Sequence, residues 1–125
     1  MNAVLLDSDI VIEILRDRDP AIQSRWAETT GSDNLVLYSP VTAAEIWQGV
    51  RENEREAVRV WFTALTCVPI DATIGIRAGE YLQRFRRSHG VEMSDALIAA
   101  TASVHGLPLW TRNKKHYPMR DIDLY

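Results

Sequence analysis

The sequence predicts an α/β fold, with a central, mostly parallel sheet of four to five strands and helices on both faces. Three observations carry that prediction. Short apolar runs such as "AVLLD" (3 to 7) and "NLVLYS" (34 to 39) have the length and composition of buried strands. Between them lie segments whose apolar residues recur every three to four positions, the period of a helix with one buried face. The two kinds alternate along the chain, as crossover helices between parallel strands require.

Each element follows from local chemistry. After "AVLLD", Ile10, Val11, Ile14 and Leu15 share one helical face, and the pattern dissolves at "RDRDP". Pro20 suits the first turn of a second helix that carries Ile22 and Trp26 and closes near Gly31. "NLVLYS" is the second strand. The helix after "SPVT" places Ala43, Ile46, Trp47 and Val50 on one stripe, and Glu45 falls off it. Val58, Trp61, Phe62 and Leu65 repeat the spacing on a fourth helix, and "CVPI" reads as the third strand. Trp47 and Trp61 lie on these apolar stripes and are expected in the core, or at the edge of a groove for an apolar partner helix. Ile74, Ala78, Tyr81, Leu82 and Phe85 mark a long fifth helix ending near His89 and Gly90. Gly75 and Gly79 within it cost helix stability and are expected to permit close helix packing. Residues 96 to 104 are apolar nearly all round, so the sixth helix belongs in the interior and closes at Gly106. "LPLWT" (107 to 111) is the fourth strand, and "DIDLY" is a candidate for a short last one.

A chain of 125 residues is expected to form a single domain, residues 1 to 125. Its 46% hydrophobic and 25% charged residues are the balance of a globular protein and exclude a disordered one. The one cysteine, Cys67, has no partner for a disulfide and is expected to pack as a small buried side chain. No run is long and apolar enough to span a bilayer, and the N-terminus lacks a secretory pattern, so a cytoplasmic location is expected. A net charge of −3 argues mildly against a nucleic-acid binder, unless carboxylates gather around a divalent cation.

The acidic residues make that exception worth pursuing. Asp7 ends the first strand, Glu45 lies one turn into the helix after the second, and Asp95 opens the helix before the fourth. In doubly wound sheets, functional groups collect beyond the carboxyl ends of the strands. Separations of 38 and 50 residues match no local metal-binding loop, so only the fold can assemble these acids. Converging carboxylates repel one another unless a cation sits among them. Oxygen ligands favour Mg²⁺ or Mn²⁺, and neither Cys67 nor the three histidines show zinc spacing. Such an ion polarises a phosphate and supplies a hydroxide nucleophile, the chemistry of a metal-assisted phosphodiesterase. The plainer alternative for Asp95 is a first-turn acid that complements the helix dipole, with Ser94 as the cap.

Five segments extend the argument: "LLDSDIVIEILR" (5 to 16), "SPVTAAEIWQGV" (39 to 50), "DATIGIRAGEYLQRFRRSHG" (71 to 90), "MSDALIAATASVHGLPLWTRN" (93 to 113) and "KHY" (115 to 117). In this order they resemble the PIN-domain ribonucleases, in particular the VapC-type toxins of bacterial toxin–antitoxin pairs. The resemblance implies a PIN-like three-layer sandwich and an endoribonuclease that leaves a 5′-phosphate and a 3′-hydroxyl. It matches Asp7, Glu45 and Asp95 to the family's catalytic, metal-binding acids, with Mg²⁺ or Mn²⁺ as cofactor. Asp7 and Asp95 would be the principal ligands, and Glu45 would be a third ligand, direct or through water, or would orient the nucleophile. Ser8, Thr111 and Asn113 match its supporting polar positions. His116 stands where many members carry a fourth acid, which puts a second metal in doubt. The same resemblance implies RNA as substrate, a homodimer, and inhibition by a cognate VapB-type antitoxin, with no membrane partner.

Lys114 and Lys115, beside the proposed site, are candidates for RNA backbone contact. Arg84 and Arg87 in "RFRRSHG" are further ones, although cations also suit a helix C-terminus through the dipole. Two competing functions remain at this stage. A receiver-like signalling domain would need a phosphoacceptor aspartate after the third strand, where Asp71 stands. A catalytically impaired PIN-like binding module would account for His116.

Overall fold

A computed structural model describes residues Asn2–Tyr125. Four strands, β1 (Asn2–Leu6), β2 (Asn34–Tyr38), β3 (Thr66–Cys67) and β4 (Leu109–Trp110), form one parallel sheet in the order β3-β2-β1-β4. Six α-helices connect them: α1 (Ser8–Arg16), α2 (Pro20–Gly31), α3 (Pro40–Trp47), α4 (Arg55–Phe62), α5 (Ala72–His89) and α6 (Met93–His105).

β1 is central because its side chains are apolar on both faces. Leu5 is fully buried among Ala78, Ala99 and Leu109 on the α5–α6 side, and Leu6 is fully buried among Ile10, Val11 and Phe62 on the other. The sheet is thus the middle of three layers. α6 lies against it through Ala96, Ile98, Ala99, Ala100 and Ala102, and this run of small side chains lets sheet, α6 and α5 stack closely. The chain steps from β1 through β2 to β3 on one side, then returns to place β4 on the other side of β1. The order therefore reverses between β1 and β4, and a crevice opens there at their carboxyl ends.

Several local expectations need correction. β3 is shifted and short, because Val68 N–H still donates to the Tyr38 carbonyl at 2.9 Å but Pro69 has no N–H to continue the ladder. As an edge strand it leaves Cys67 exposed rather than buried. Gly75 and Gly79 do not mediate close packing, since a Cβ at either would meet nothing within 4 Å. They sit on the outer side of α5, while Ile74, Ala78 and Tyr81 face inward. Trp47 and Trp61 are half-buried, Trp61 against Phe62 (5.2 Å between ring centres) and Trp26 (5.7 Å). "DIDLY" contributes a single parallel bridge, Leu109 to Leu124, rather than a strand. The Tyr125 ring holds that end in place, with its hydroxyl 2.6 Å from Thr29 Oγ1 and the Arg25 guanidinium 4.2 Å from its centre.

Cys67→Ser is accordingly expected to change stability by less than about 0.5 kcal/mol, the range of surface substitutions. In the native protein the Cys67 thiol should react readily with a thiol dye. Labelling that required denaturant would contradict its exposure.

Candidate active site

The crevice between β1 and β4 is lined first by Asp7, which leaves β1 and caps α1. Its Oδ1 accepts the Ser8 N–H at 2.8 Å, and its Oδ2 accepts the Thr111 hydroxyl at 2.7 Å. Thr111 follows β4, so one hydrogen bond ties the two strand ends at the point where the sheet order reverses. The Thr111 hydroxyl oxygen in turn accepts the Asn113 N–H at 3.0 Å, which fixes the turn beyond β4.

Glu45 reaches the same region from α3. The Ser8 hydroxyl donates to Glu45 Oε1 at 2.7 Å and lies 3.1 Å from the buried Thr42 hydroxyl. Ser8 therefore sits between Asp7 and Glu45 and orients the second acid. Asp95 enters from the first turn of α6. Its Oδ2 accepts the Glu92 N–H at 3.0 Å, so Glu92, not Ser94, is the N-cap and Asp95 closes the first turn behind it. Asp95 does serve the helix end, yet its position against Asp7 and Glu45 goes beyond capping.

The electrostatics show how closely these groups sit. Burial pushes the Asp7 carboxyl above its usual range, and the Asp95 charge adds to this against the opposing hydrogen bonds from Thr111 and Ser8. Asp95 is raised as well, chiefly by burial, with Glu45 among the charges that contribute. Asp7, Asp95 and Glu45 are thus electrostatic neighbours in that sequence. They do not close into a ready chelate: among the described residues, no three of the His, Cys, Asp and Glu side chains form a group that could hold a metal ion.

Asp9 and Tyr117 also belong to the site, and neither was singled out from the sequence. Asp9 is pushed up to about 6 by burial and by the Asp7 charge. Its Oδ2 accepts the Arg112 N–H at 2.9 Å, and its buried Oδ1 has no hydrogen-bond partner. The signal for Asp9 was present in "LLDSD", where the second acid falls in the first turn of the helix that the first one caps. Tyr117 is buried with its hydroxyl near the Asp7 carboxylate but outside strict hydrogen-bond geometry, and burial together with the Asp7, Asp95 and Asp9 charges drives its pKa upward. Nothing in "KHYP" distinguishes that tyrosine from a core residue.

His116 lies in the 3-10 turn Lys114–His116 that follows β4, and its Nδ1 is 3.4 Å from Asp95 Oδ2. It borders the acids rather than standing free in a surface loop. The same Nδ1 is 2.7 Å from Asn113 Nδ2, so this ring nitrogen lies between the Asn113 amide and the Asp95 carboxylate. Lys114 and Lys115 project outward from this turn, and Arg84 and Arg87 are exposed on α5. Asp71 is apart from the acids: it caps α5, accepting the Ile74 N–H at 3.0 Å, which removes the phosphoacceptor required by the receiver reading.

Two clefts flank the acids. One, of about 510 Å³, is bounded by Asp9, Glu13, Arg112 and Asn113. The other, of about 420 Å³, runs between α1, α3 and α4 and is lined by Glu45 with Ile12, Leu15, Ile46, Val50 and Val58.

The donor set suits a hard divalent cation. All the buried candidate ligands are oxygens, their carboxyls are raised by burial and mutual repulsion, and one buried carboxylate oxygen of Asp9 lacks any partner. A cation among them would answer each of these costs.

An acid-lined crevice at the switch point of a parallel sheet marks an α/β protein whose functional site lies at the strand ends. The match to the PIN domain family over residues 4–122 is more specific, and the chain belongs to that family. It is 37% identical to the ribonuclease VapC10 of Mycobacterium tuberculosis over 93% of this chain and 86% of that protein. It is 34% identical to the ribonuclease VapC19 of the same organism, over 92% of each. Among solved structures, DNA-bound VapBC from Salmonella typhimurium superposes with a TM-score of 0.82 at 20% identity, over 100% of this chain and 98% of that one, a likeness of fold. No helix among the described residues is long and apolar enough to cross a membrane.

Proposed function

We propose that this protein is a metal-dependent endoribonuclease, the toxin of a toxin–antitoxin pair, which hydrolyses RNA to 5′-phosphate and 3′-hydroxyl ends in the cytoplasm. The observation that carries this reading is that the Asp7 and Asp95 carboxyls at the β1–β4 crevice are each held above the usual carboxylate range, chiefly by burial, with the Asp95 charge adding to the rise of Asp7. Kinship with VapC ribonucleases at 34–37% identity supports the choice of RNA.

Asp7 and Asp95 would hold a Mg²⁺ or Mn²⁺ ion directly, and Glu45, oriented by Ser8, would reach it through water. When bound, such an ion polarises the phosphate and lowers the pKa of an attacking water. The protein's own groups do the rest. Thr111 and the Ser8 amide fix both oxygens of Asp7. Asp9 and Tyr117 keep the floor of the crevice buried. The His116 ring, within reach of both Asn113 and Asp95, borders the edge of the site. Lys114 and Lys115 meet the substrate backbone. A cognate VapB-type antitoxin has the apolar groove between α1, α3 and α4 available to it, and a segment lying there would end beside Glu45.

Purified protein on total RNA, with and without chelator and with the ends mapped, tests this reading. Cleavage that stops with chelator, returns with Mn²⁺ and leaves 5′-phosphates is expected. Cleavage indifferent to chelator, or 2′,3′-cyclic ends, would overturn it. His116→Asp provides an independent check, because a third carboxylate against Asp95 adds repulsion that only a cation relieves. That variant should bind Mn²⁺ about tenfold more tightly, which is about 1.4 kcal/mol. Unchanged affinity in calorimetry would place His116 away from the ion.

A further inference from the structure

The modest net charge conceals a segregation. Residues 81–91 and 112–120 hold half of the 14 Lys and Arg and none of the 17 Asp and Glu, so the rest of the chain is strongly acidic. The fold brings these two acid-free segments together beside Asp95: a Cβ on Gly90 would lie 3.9 Å from His116 Nε2. Beyond that contact the same segments wall a cleft of about 710 Å³, with Tyr81, Arg84 and Phe85 on one side and Pro118, Met119 and Arg120 on the other.

The cations of this cleft differ in how they are engaged. Arg77, two turns before Arg84 on α5, is committed to Ser103 and lies 3.6 Å from Asp121, which also accepts from Tyr81 (2.6 Å) and Ser103 (2.7 Å). The Asp121 charge is therefore answered internally, and Glu80 is the other carboxylate on the lining. Arg84 and Arg120 are exposed and have no ion-pair partner among the described residues. The Arg84 guanidinium rests 5.1 Å from the centre of the Phe85 ring, which restricts its freedom before any ligand arrives. The groove beside Glu45 is by contrast mostly apolar, and its charged lining residues, Glu45, Glu54 and Arg16, leave it with no excess of cations for a polyanion.

We infer that single-stranded RNA leaves the Asp7–Asp95 carboxylates over the Lys114–His116 turn and lies in this cleft, where Arg84 and Arg120 each hold a backbone phosphate. A basic groove with an aromatic ring is the chemistry that binds one strand with little regard to sequence. The inference rests on the ribonuclease reading and deepens it: RNA occupies one side of the acids and leaves the apolar side to the antitoxin.

The test is the binding of a fluorescent single-stranded RNA oligonucleotide to the full-length protein in chelator, across a salt series. For the Arg84→Ala/Arg120→Ala variant, two phosphate contacts at about 0.7 each should take about 1.4 from the slope of log affinity against log salt. The Arg18→Ala/Arg59→Ala control makes the same charge change at arginines paired with Glu13 and Glu56, and it should keep the wild-type slope. An unchanged slope in the first variant, an equal loss in the control, or no RNA binding by wild type would each overturn the inference. Cleavage is assayed separately with Mn²⁺. A wild type that loses slope with Arg84 and Arg120 yet cuts nothing would sink the nuclease reading and leave the RNA cleft standing.

Discussion

Asp7→Asn is expected to lower RNA cleavage by about a thousandfold or more, which is about 4 kcal/mol of transition-state stabilisation. The same change should raise the thermal midpoint of the metal-free protein. Asp7 is buried with its pKa raised, so the fold holds this group more easily as the neutral acid than as the carboxylate. A neutral amide removes that cost and keeps one acceptor oxygen, while the Thr111 hydroxyl can turn to accept instead of donate. Asp95→Asn should behave in parallel, since an amide oxygen can still accept the Glu92 N–H.

The pH dependence fixes the sign. A carboxyl whose folded pKa lies above its unfolded value of 3.8 gives stability that is complete below that value and is lost as pH rises through the folded pKa. For Asp9 the folded value is about 6. Metal-free wild type should therefore gain stability from these acids as pH falls from 7.5 towards 5, and the advantage of Asp7→Asn should shrink over the same range. Melts in chelator at the two pH values check this. Marked destabilisation by both asparagine variants at pH 7.5 would show the acids to be structural, and would return Asp95 to helix capping alone.

The second large effect is on folding. Leu5→Ala and Leu6→Ala should each cost about 3 kcal/mol, within the range for buried leucines that leave a cavity. Both side chains are fully buried, but on opposite faces of the central strand and in separate clusters. The double variant should therefore cost nearly the sum, about 6 kcal/mol, which approaches the whole stability of many domains. Denaturant titrations of the three variants measure it. A double variant no worse than either single one would mean that the two layers are not independent.

The layer order and most helices were legible because they follow from periodicity. The all-round apolar α6 belonged in the interior, and "AVLLD", apolar throughout, read as a strand buried on both faces. Where a prediction depended on what lay opposite, it failed. Gly75 and Gly79 looked like a packing face, but the small residues that meet are the alanines of α6. Cys67 looked buried by its neighbours in sequence and is exposed because its strand lies at the edge.

The site divides in the same way. By itself the sequence marked Asp7, Glu45 and Asp95 as candidates for the chemistry, since an acid at a strand end and another in a helix's first turn are set by local pattern. Only the tertiary structure decided which of them meet. Bringing β4 back beside β1 ties Thr111 to Asp7 across 104 positions of sequence, buries Asp9 and Tyr117 with them, and sets His116 against Asp95. Burial and the distance between charges are properties of folded space, and these raise the carboxyls of Asp7, Asp9 and Asp95.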